Sequence, residues 1–262
     1  MRTIAIVNLK GGVGKTVTAV NLAALLACDH KQRVLLVDAD SQCNATEFFG
    51  GDPAAGNLAD LLLARSASDF GPLRGTSLIQ QTPLRRLDLL AASDALMDLD
   101  LSKVEQHTAC PGALRELMEA CSELDLYDAV VVDCPPAFSA ASAAALLAAD
   151  EVIVPIKLDA FSLRGMANLT RQIANMRRIN ARLRIAGCLI TMWTPDDATA
   201  EAEQLLRGSA LPVFRQTIRR SDKVDGMTFA QRPLLIHSPR SGAGVDYRRF
   251  VREYVRGGAG NG

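Results

Sequence analysis

The stretch Lys10-Gly11-Gly12-Val13-Gly14-Lys15-Thr16 constrains this chain more than any other, because of what flanks it. Before it stands a short apolar, β-branched run, TIAIVN at 3–8, and after it an Ala/Leu-rich segment from Lys15 to Cys28 that reads as a helix. Strand, glycine-rich turn and helix in that order suit an anion. Glycines let backbone N–H groups curl around a phosphate, and the N-terminus of the following helix adds positive potential. The turn Gly11, Gly12, Val13, Gly14, Lys15, Thr16 and Val17 is therefore the expected phosphate cradle, with Lys15 reaching the β- and γ-phosphates and the Thr16 hydroxyl ligating Mg²⁺. The common pattern G-x-x-x-x-G-K-[ST] is broken at its first glycine, where Leu9 stands, and a second lysine, Lys10, lies inside the turn.

Further short apolar runs follow at 33–38, 87–92, 128–133, 151–156 and 184–191. Each is almost wholly apolar rather than alternating, as expected of parallel strands covered by helices on both faces. Helical spacing occupies Ala113 to Cys121, Ser139 to Ala148, Leu163 to Arg178, Thr199 to Arg207 and Gly244 to Arg256. Strand and helix in alternation predict a doubly wound α/β fold with a mostly parallel sheet. The 262 residues are read as one domain over 1–256 with a flexible GGAGNG tail over 257–262, and Gly50 to Thr82 as a helical excursion between strands. The six cysteines, Cys28, Cys43, Cys110, Cys121, Cys134 and Cys188, form no C-x-x-C pair and read as free thiols of a reducing compartment. No signal peptide and no run of about 18 apolar residues is visible, so a cytoplasmic protein without stable membrane insertion is expected.

Two strand ends carry carboxylates. RVLLVD ends at Asp38 and continues into Asp40, Gln42, Asn44 and Thr46, and DAVVVD ends at Asp133, followed by Cys134-Pro135-Pro136. In a parallel sheet the carboxyl ends of neighbouring strands line one crevice, so these side chains can face the phosphate turn.

KGGVGKT resembles the deviant Walker A motif of the ParA/MinD family of P-loop ATPases, closest in length and lack of an N-terminal extension to the small chromosomal-type, Soj-like ParA proteins. DADSQCNAT is similar to the family's switch I motif D-x-D-P-Q-G-N-A-T, with Ser41 for proline and Cys43 for glycine. Tyr127-Asp128 through Asp133-Cys134-Pro135-Pro136 resembles the Walker B segment. The closing run from Arg232 to Tyr254 matches the family's K-P-h-h-x-Y-D-P-x-S-x-G-A-x-x-Y-x-x-L-A-x-E. The resemblance implies a P-loop NTPase fold of the SIMIBI type, ATP and Mg²⁺ as ligands, and an ATP sandwich homodimer. In it Lys10 reaches the partner subunit's ATP, Asp40 orients or activates the attacking water, and Thr16, Asp38 and Asp133 stand on the metal side. No N-K-x-D occurs, so ATP rather than GTP is expected.

The formal net charge is zero, but it divides: residues 1–161 hold 12 basic and 21 acidic side chains, a net −9, and the remainder is +9. A uniformly basic coat is excluded, whereas a basic face in the second half is not. Arg219, Arg220 and Lys223, where the family has I-P-R-N-x-R, and Arg248, Arg249 and Arg252 on the last helix are the candidates for contact with non-specific DNA. Arg219 replaces the proline, Ser221 the asparagine, and Asp196 lies where the family is usually basic. The resemblance implies DNA segregation, with slow hydrolysis stimulated by a ParB-like or adaptor partner, and nucleoid association in the ATP state. The alternative is a MinD-like membrane ATPase, for which Tyr247, Phe250, Val251 and Tyr254 with the interspersed arginines would form a membrane-surface helix. A cluster carrier of the nitrogenase iron protein or Mrp kind would need paired cysteines, and Cys134 alone stands near the site.

Overall fold

The apolar runs become strands whose side chains alternate between two cores, one on each face of the sheet. Ala5, Leu35, Val37, Val130 and Val132 point to one; Ile4, Ile6, Val34, Leu36 and Val131 point to the other. This is why the runs lack polar alternation: both faces are covered. A computed structural model of the chain describes residues 1–64, 67–71, 75–99, 109–159, 168, 170–171 and 173–257.

The strands are β1 (Arg2–Ile6), β2 (Val34–Asp38), β3 (Gln80–Gln81), β4 (Leu87–Leu90), β5 (Ala129–Asp133), β6 (Glu151–Lys157) and β7 (Arg184–Thr191), in the order β3-β4-β2-β5-β1-β6-β7. All pairs are parallel except β3 with β4. The chain order reverses beside β1, an interior strand between β5 and β6, so the loop that leaves β1 opens at a topological switch point, where such sheets bind ligands.

Helix α1 (Lys15–Cys28) has the bounds expected from the sequence; α2 (Asn44–Phe48), α3 (Leu58–Leu63), α4 (Gly112–Glu123), α5 (Ala140–Ala148), α6 (Asp197–Arg207), α7 (Asp222–Ala230), α8 (Leu234–His237) and α9 (Gly242–Val255) follow. Ser139 caps α5, its hydroxyl accepting from the Ser142 N–H. α3 confirms helix within the irregular Gly50–Thr82 stretch, while β3, α2, α7 and α8 were not anticipated. The helix expected over Leu163–Arg178 and the tail after Gly257 fall largely outside the described residues; 173–176 are helical.

α9 closes the second core. Tyr247, Phe250, Val251 and Tyr254 are all at most 3% exposed, and Phe250 meets Phe214 edge-to-face at 4.9 Å. Burial of such side chains contributes about 1.5–3 kcal/mol each, so this stripe is committed to the fold. The membrane-surface use of the last helix is corrected by that packing: its apolar face is inside. Among the described residues no helix is long and apolar enough to cross a membrane.

Two polar links join α1 to the C-terminal helices across this core. Tyr247 Oη and Thr18 Oγ1 lie 3.2 Å apart, and the Leu234 N–H donates to Asn21 Oδ1 at 2.9 Å. Whatever moves the start of α1 is thereby mechanically connected to α8 and α9.

Candidate active site

The loop between β1 and α1 is shaped by two left-handed glycines. Gly12 (φ 68) and Gly14 (φ 83, the α1 N-cap) adopt backbone that side chains disfavour. A Cβ on Gly11 or Gly12 would meet no atom within 4 Å, so the space beside these two glycines is open. Its edges are pinned to neighbouring strands. The Asn8 amide donates to Pro155 O at 2.8 Å, the Lys10 N–H donates to Asn8 Oδ1 at 3.0 Å, and the Thr191 hydroxyl donates to Val13 O at 2.9 Å.

Lys15 is 7% exposed and its ammonium donates to Lys10 O at 3.0 Å, laying the side chain across the loop. Burial lowers its pKa, while the nearby Asp133 and Asp40 carboxylates pull it back up. Lys10, the other lysine, is partly exposed at the rim and forms an ion pair with Asp159, just after β6.

Asp38 and Asp133 are cross-strand neighbours at the carboxyl ends of β2 and β5, and neither is exposed to solvent. Their environments differ. Asp38 accepts the Thr46 N–H at 2.8 Å and hydroxyl at 2.9 Å on Oδ2 and the Asp40 N–H at 3.1 Å on Oδ1. Thr46 Oγ1 in turn accepts the Ala92 N–H at 2.8 Å. Asp38 thus holds its own loop together through these bonds, at the strand end where it was expected on the metal side. Burial pushes its carboxyl up to about 6 against the pull of these hydrogen bonds.

Asp133 is the contrast. Neither of its oxygens has a hydrogen-bond partner of good geometry, although the Thr16 side chain lies near enough to pull its pKa down. Burial first, and then the Asp38 charge, push that pKa well above the carboxylate range. A fully buried, unpartnered carboxylate beside a threonine hydroxyl is costly unless a cation joins it; Asp133 with Thr16 is the donor set that fits Mg²⁺, a hard cation bound through oxygen.

This predicts a stability effect. In EDTA, Asp133→Asn is expected to raise the melting temperature by about 5 °C, from ~1–3 kcal/mol of relieved burial at roughly 2–4 °C per kcal/mol for a chain of this size. A carboxyl whose folded pKa exceeds its unfolded value favours folding fully at low pH and loses that contribution as pH rises. For Asp38 the window runs from 3.8 to about 6. Melting curves in EDTA across that window should decline for wild type and be shallower for Asp133→Asn.

Asp40 is 7% exposed; its Oδ1 accepts the Gln42 N–H at 3.0 Å, and among the described residues no donor is found for Oδ2. The loop then turns through Cys43, at φ 54. A left-handed backbone there explains why the resembling motif carries glycine, and it places strain of about 1–3 kcal/mol next to the carboxylates. Cys134 is fully buried and burial raises its thiol pKa, which keeps it protonated and disfavours it as a cluster ligand.

Beside the loop, on the β7 side, lies a cavity of about 190 Å³. Gly14, Val17, Met192, Ile218, Arg219 and Tyr247 are among the residues that line it. Sequence reasoning missed this cavity, since its walls come from five separated stretches.

The basic candidates separate. Arg220, Lys223, Arg249 and Arg252 are exposed. Arg248 donates to Asp29 Oδ2 and to Pro239 O, both at 3.1 Å. Arg219 is bidentate to the buried Asp246, Nε to Oδ2 at 2.7 Å and Nη2 to Oδ1 at 2.9 Å. Both are withdrawn from the expected phosphate-binding set by those partners. Asp196, the unexpected acid, is the N-cap of α6: its Oδ1 accepts the Thr199 N–H at 2.9 Å.

A family described as an AAA domain matches residues 1–185. The chain is 36% identical to the chromosome-partitioning ATPase Soj of Thermus thermophilus, covering 97% of this chain and 96% of that protein. It is 33% identical to the chromosome partitioning protein ParA of Caulobacter vibrioides, covering 97% and 94%. Among solved structures it resembles Mycobacterium smegmatis cobyrinic acid a,c-diamide synthase bound to an ATP analogue and magnesium, with 27% identity, a TM-score of 0.79 and coverage of 98% and 94%. Loop, paired strand-end carboxylates and near full-length identity agree: the chain belongs to the ParA/MinD family of P-loop ATPases, on its Soj-like side.

Proposed function

We propose that this chain, acting as one domain over residues 1–256, binds and hydrolyses ATP with Mg²⁺, closes into a sandwich dimer in the ATP state, and binds DNA in that state to drive segregation of a DNA cargo. The observation that carries this reading is the division of labour between two lysines. Lys15 lies buried across its own loop, beside Asp133 and Asp40, while Lys10 stands at the partly exposed rim. One cation serves the nucleotide of its own subunit; the other is placed to serve a nucleotide presented from outside.

In this reading the backbone of Gly11, Gly12, Val13, Gly14, Lys15, Thr16 and Val17 holds the phosphates, and Thr16 with Asp133 holds the metal. Mg²⁺, when bound there, offsets charge on the phosphates. Asp40 Oδ2 orients a water and accepts its proton as the water oxygen bonds to the γ-phosphorus. The bond from that phosphorus to the bridging oxygen breaks, and ADP leaves with its electron pair. Lys10 of the partner subunit neutralises charge on the transferring group, so hydrolysis waits for the dimer. Lys10 must first leave Asp159, and that exchange suits slow intrinsic turnover. A two-fold dimer satisfies the requirement twice.

The basic second half supports the DNA reading. Arg220, Lys223, Arg249 and Arg252 are exposed cations, and α9, which carries two of them, is tied to α1 through Tyr247 and Thr18. Pairing two such faces doubles the charge available to the duplex. The partition proteins at 33–36% identity favour this over amide synthesis, which is the chemistry named for the 27% relative. A ParB-like partner that stimulates hydrolysis, and nucleoid association of the ATP state, belong to the same reading.

A salt titration of binding to non-specific duplex DNA tests it. Binding is expected only with ATP, with an affinity falling steeply in salt; each removed contact from Arg220, Lys223, Arg249 or Arg252 should reduce the log–log slope by about 0.9 per phosphate, doubled in a dimer. Binding equal with and without ATP would overturn the switch, and ATP-dependent pelleting with liposomes instead of DNA would favour membrane positioning.

A further inference from the structure

Arg219 is held by the buried Asp246, and it lines the cavity next to the phosphate loop. Its backbone N–H donates to Asp246 Oδ2 at 3.1 Å, and the Nε/Nη2 edge of the guanidinium is bonded to the same carboxylate. Asp246 is 1% exposed and sits in the first half of α9. From below, Gly242 lets the guanidinium lie flat: a Cβ there would come within 2.5 Å of Arg219 Cδ and 2.8 Å of Nε. Despite these restraints the Arg219 side chain remains 53% exposed. A planar cation fixed along one edge and open on a face is built for stacking.

Part of the lining is apolar. Val17 and Ile218 line the same cavity, and Met192 brings a thioether from a left-handed backbone position (φ 52), strain of the kind that persists at ligand sites. Gly14 and Val17 belong both to the turn that would hold the phosphates and to the lining of this cavity, so the cavity is within reach of the remainder of a nucleotide seated there. Arg219 also stands at the proline of the resembling I-P-R-N-x-R segment. An apolar ring has been exchanged for a cationic plane, with Asp246 supplied to hold it.

We propose that Arg219 is a base-binding residue, its guanidinium face stacked on the purine of the bound nucleotide and Asp246 fixing its plane. This rests on the nucleotide-binding reading above and adds a base contact particular to this chain. Guanidinium planes stack on aromatic rings where an ammonium group cannot, and stacking of a base is worth roughly a tenfold or greater change in affinity. Asp222 and Asp225 border the cavity as well, so it is not a uniformly cationic site for the phosphate tail.

The test compares two probes, Mg-ADP and inorganic tripolyphosphate, by calorimetric titration. Arg219→Lys keeps the charge and loses the plane. Arg219→Ala/Asp246→Ala removes both charges, so that no buried carboxylate is left unpaired. Both variants are expected to lose about tenfold in ADP affinity and to hold tripolyphosphate within about twofold of wild type. Equal losses for the two probes would reduce Arg219 to a general electrostatic or structural role, and unchanged ADP affinity would remove it from the site. Wild-type protein that binds neither probe would instead overturn the phosphate-loop reading itself.

Discussion

Lys15→Ala is expected to leave a folded protein that no longer binds ATP, with affinity reduced at least about a hundredfold. The lysine is the one ammonium buried in the loop, where charge-assisted hydrogen bonds are roughly twice as strong as neutral ones and contribute about 1.5–3 kcal/mol each. Two such bonds to the terminal phosphates account for the loss. The protein should tolerate the change because Lys15 bonds only Lys10 O in the loop. Removing it does deprive Asp133 and Asp40 of a neighbouring cation. The melting temperature in EDTA should therefore fall slightly at neutral pH and recover in the double variant with Asp133→Asn. Calorimetry with Mg-ATP decides: near wild-type affinity in Lys15→Ala would remove the loop from the account.

Asp40→Ala is expected to separate binding from chemistry. The variant should bind ATP within about twofold of wild type yet hydrolyse it 10²–10⁴-fold more slowly, roughly the contribution of a positioned general base. The geometry supports the separation. Asp40 Oδ1 is engaged with the Gln42 N–H, Oδ2 has no donor among the described residues, and Asp38 and Thr46 hold the loop without it. A phosphate-release assay at saturating ATP checks the rate. Turnover near that of wild type would take Asp40 out of the reaction, whereas loss of ATP binding would make it part of the cradle.

The parts legible in the sequence are those whose cause is local. β1, the glycine turn and α1 are contiguous, and their periodicities and glycines dictate them; α1 has the expected bounds, Lys15–Cys28. Asp38 and Asp133 could be placed in one crevice because parallel strands align their carboxyl ends. What was not legible depends on partners remote in the chain. Asp38 is satisfied by Asp40 and Thr46 a few residues on, but the Thr46 hydroxyl is itself fixed by the distant Ala92 N–H, which local reading does not show. Lys10 meets Asp159 and Arg219 meets Asp246 only after folding. α7 escaped notice because Gly226 interrupts it and only Met227 of its residues is buried. Asp196 misled in the other direction: its cap over Thr199 was written locally, but the resemblance drew attention to the missing base instead.

The zero net charge acquires a physical sense from this arrangement. The acidic half carries the strand-end carboxylates, and the basic half carries the exposed arginines of α9. Such a protein need not adhere to DNA as a single copy. Two copies closed around ATP would combine their basic faces, and the nucleotide would then control the electrostatics.

Sedimentation velocity of Asp40→Ala, with Mg-ATP and with Mg-ADP, tests this most directly, because slow hydrolysis preserves the ATP state during the run. The account predicts a dimer with ATP, a monomer with ADP, and a monomer with either nucleotide when Lys10→Ala is added. A variant that binds ATP and remains a monomer, or one that is a dimer in both nucleotides, would contradict it.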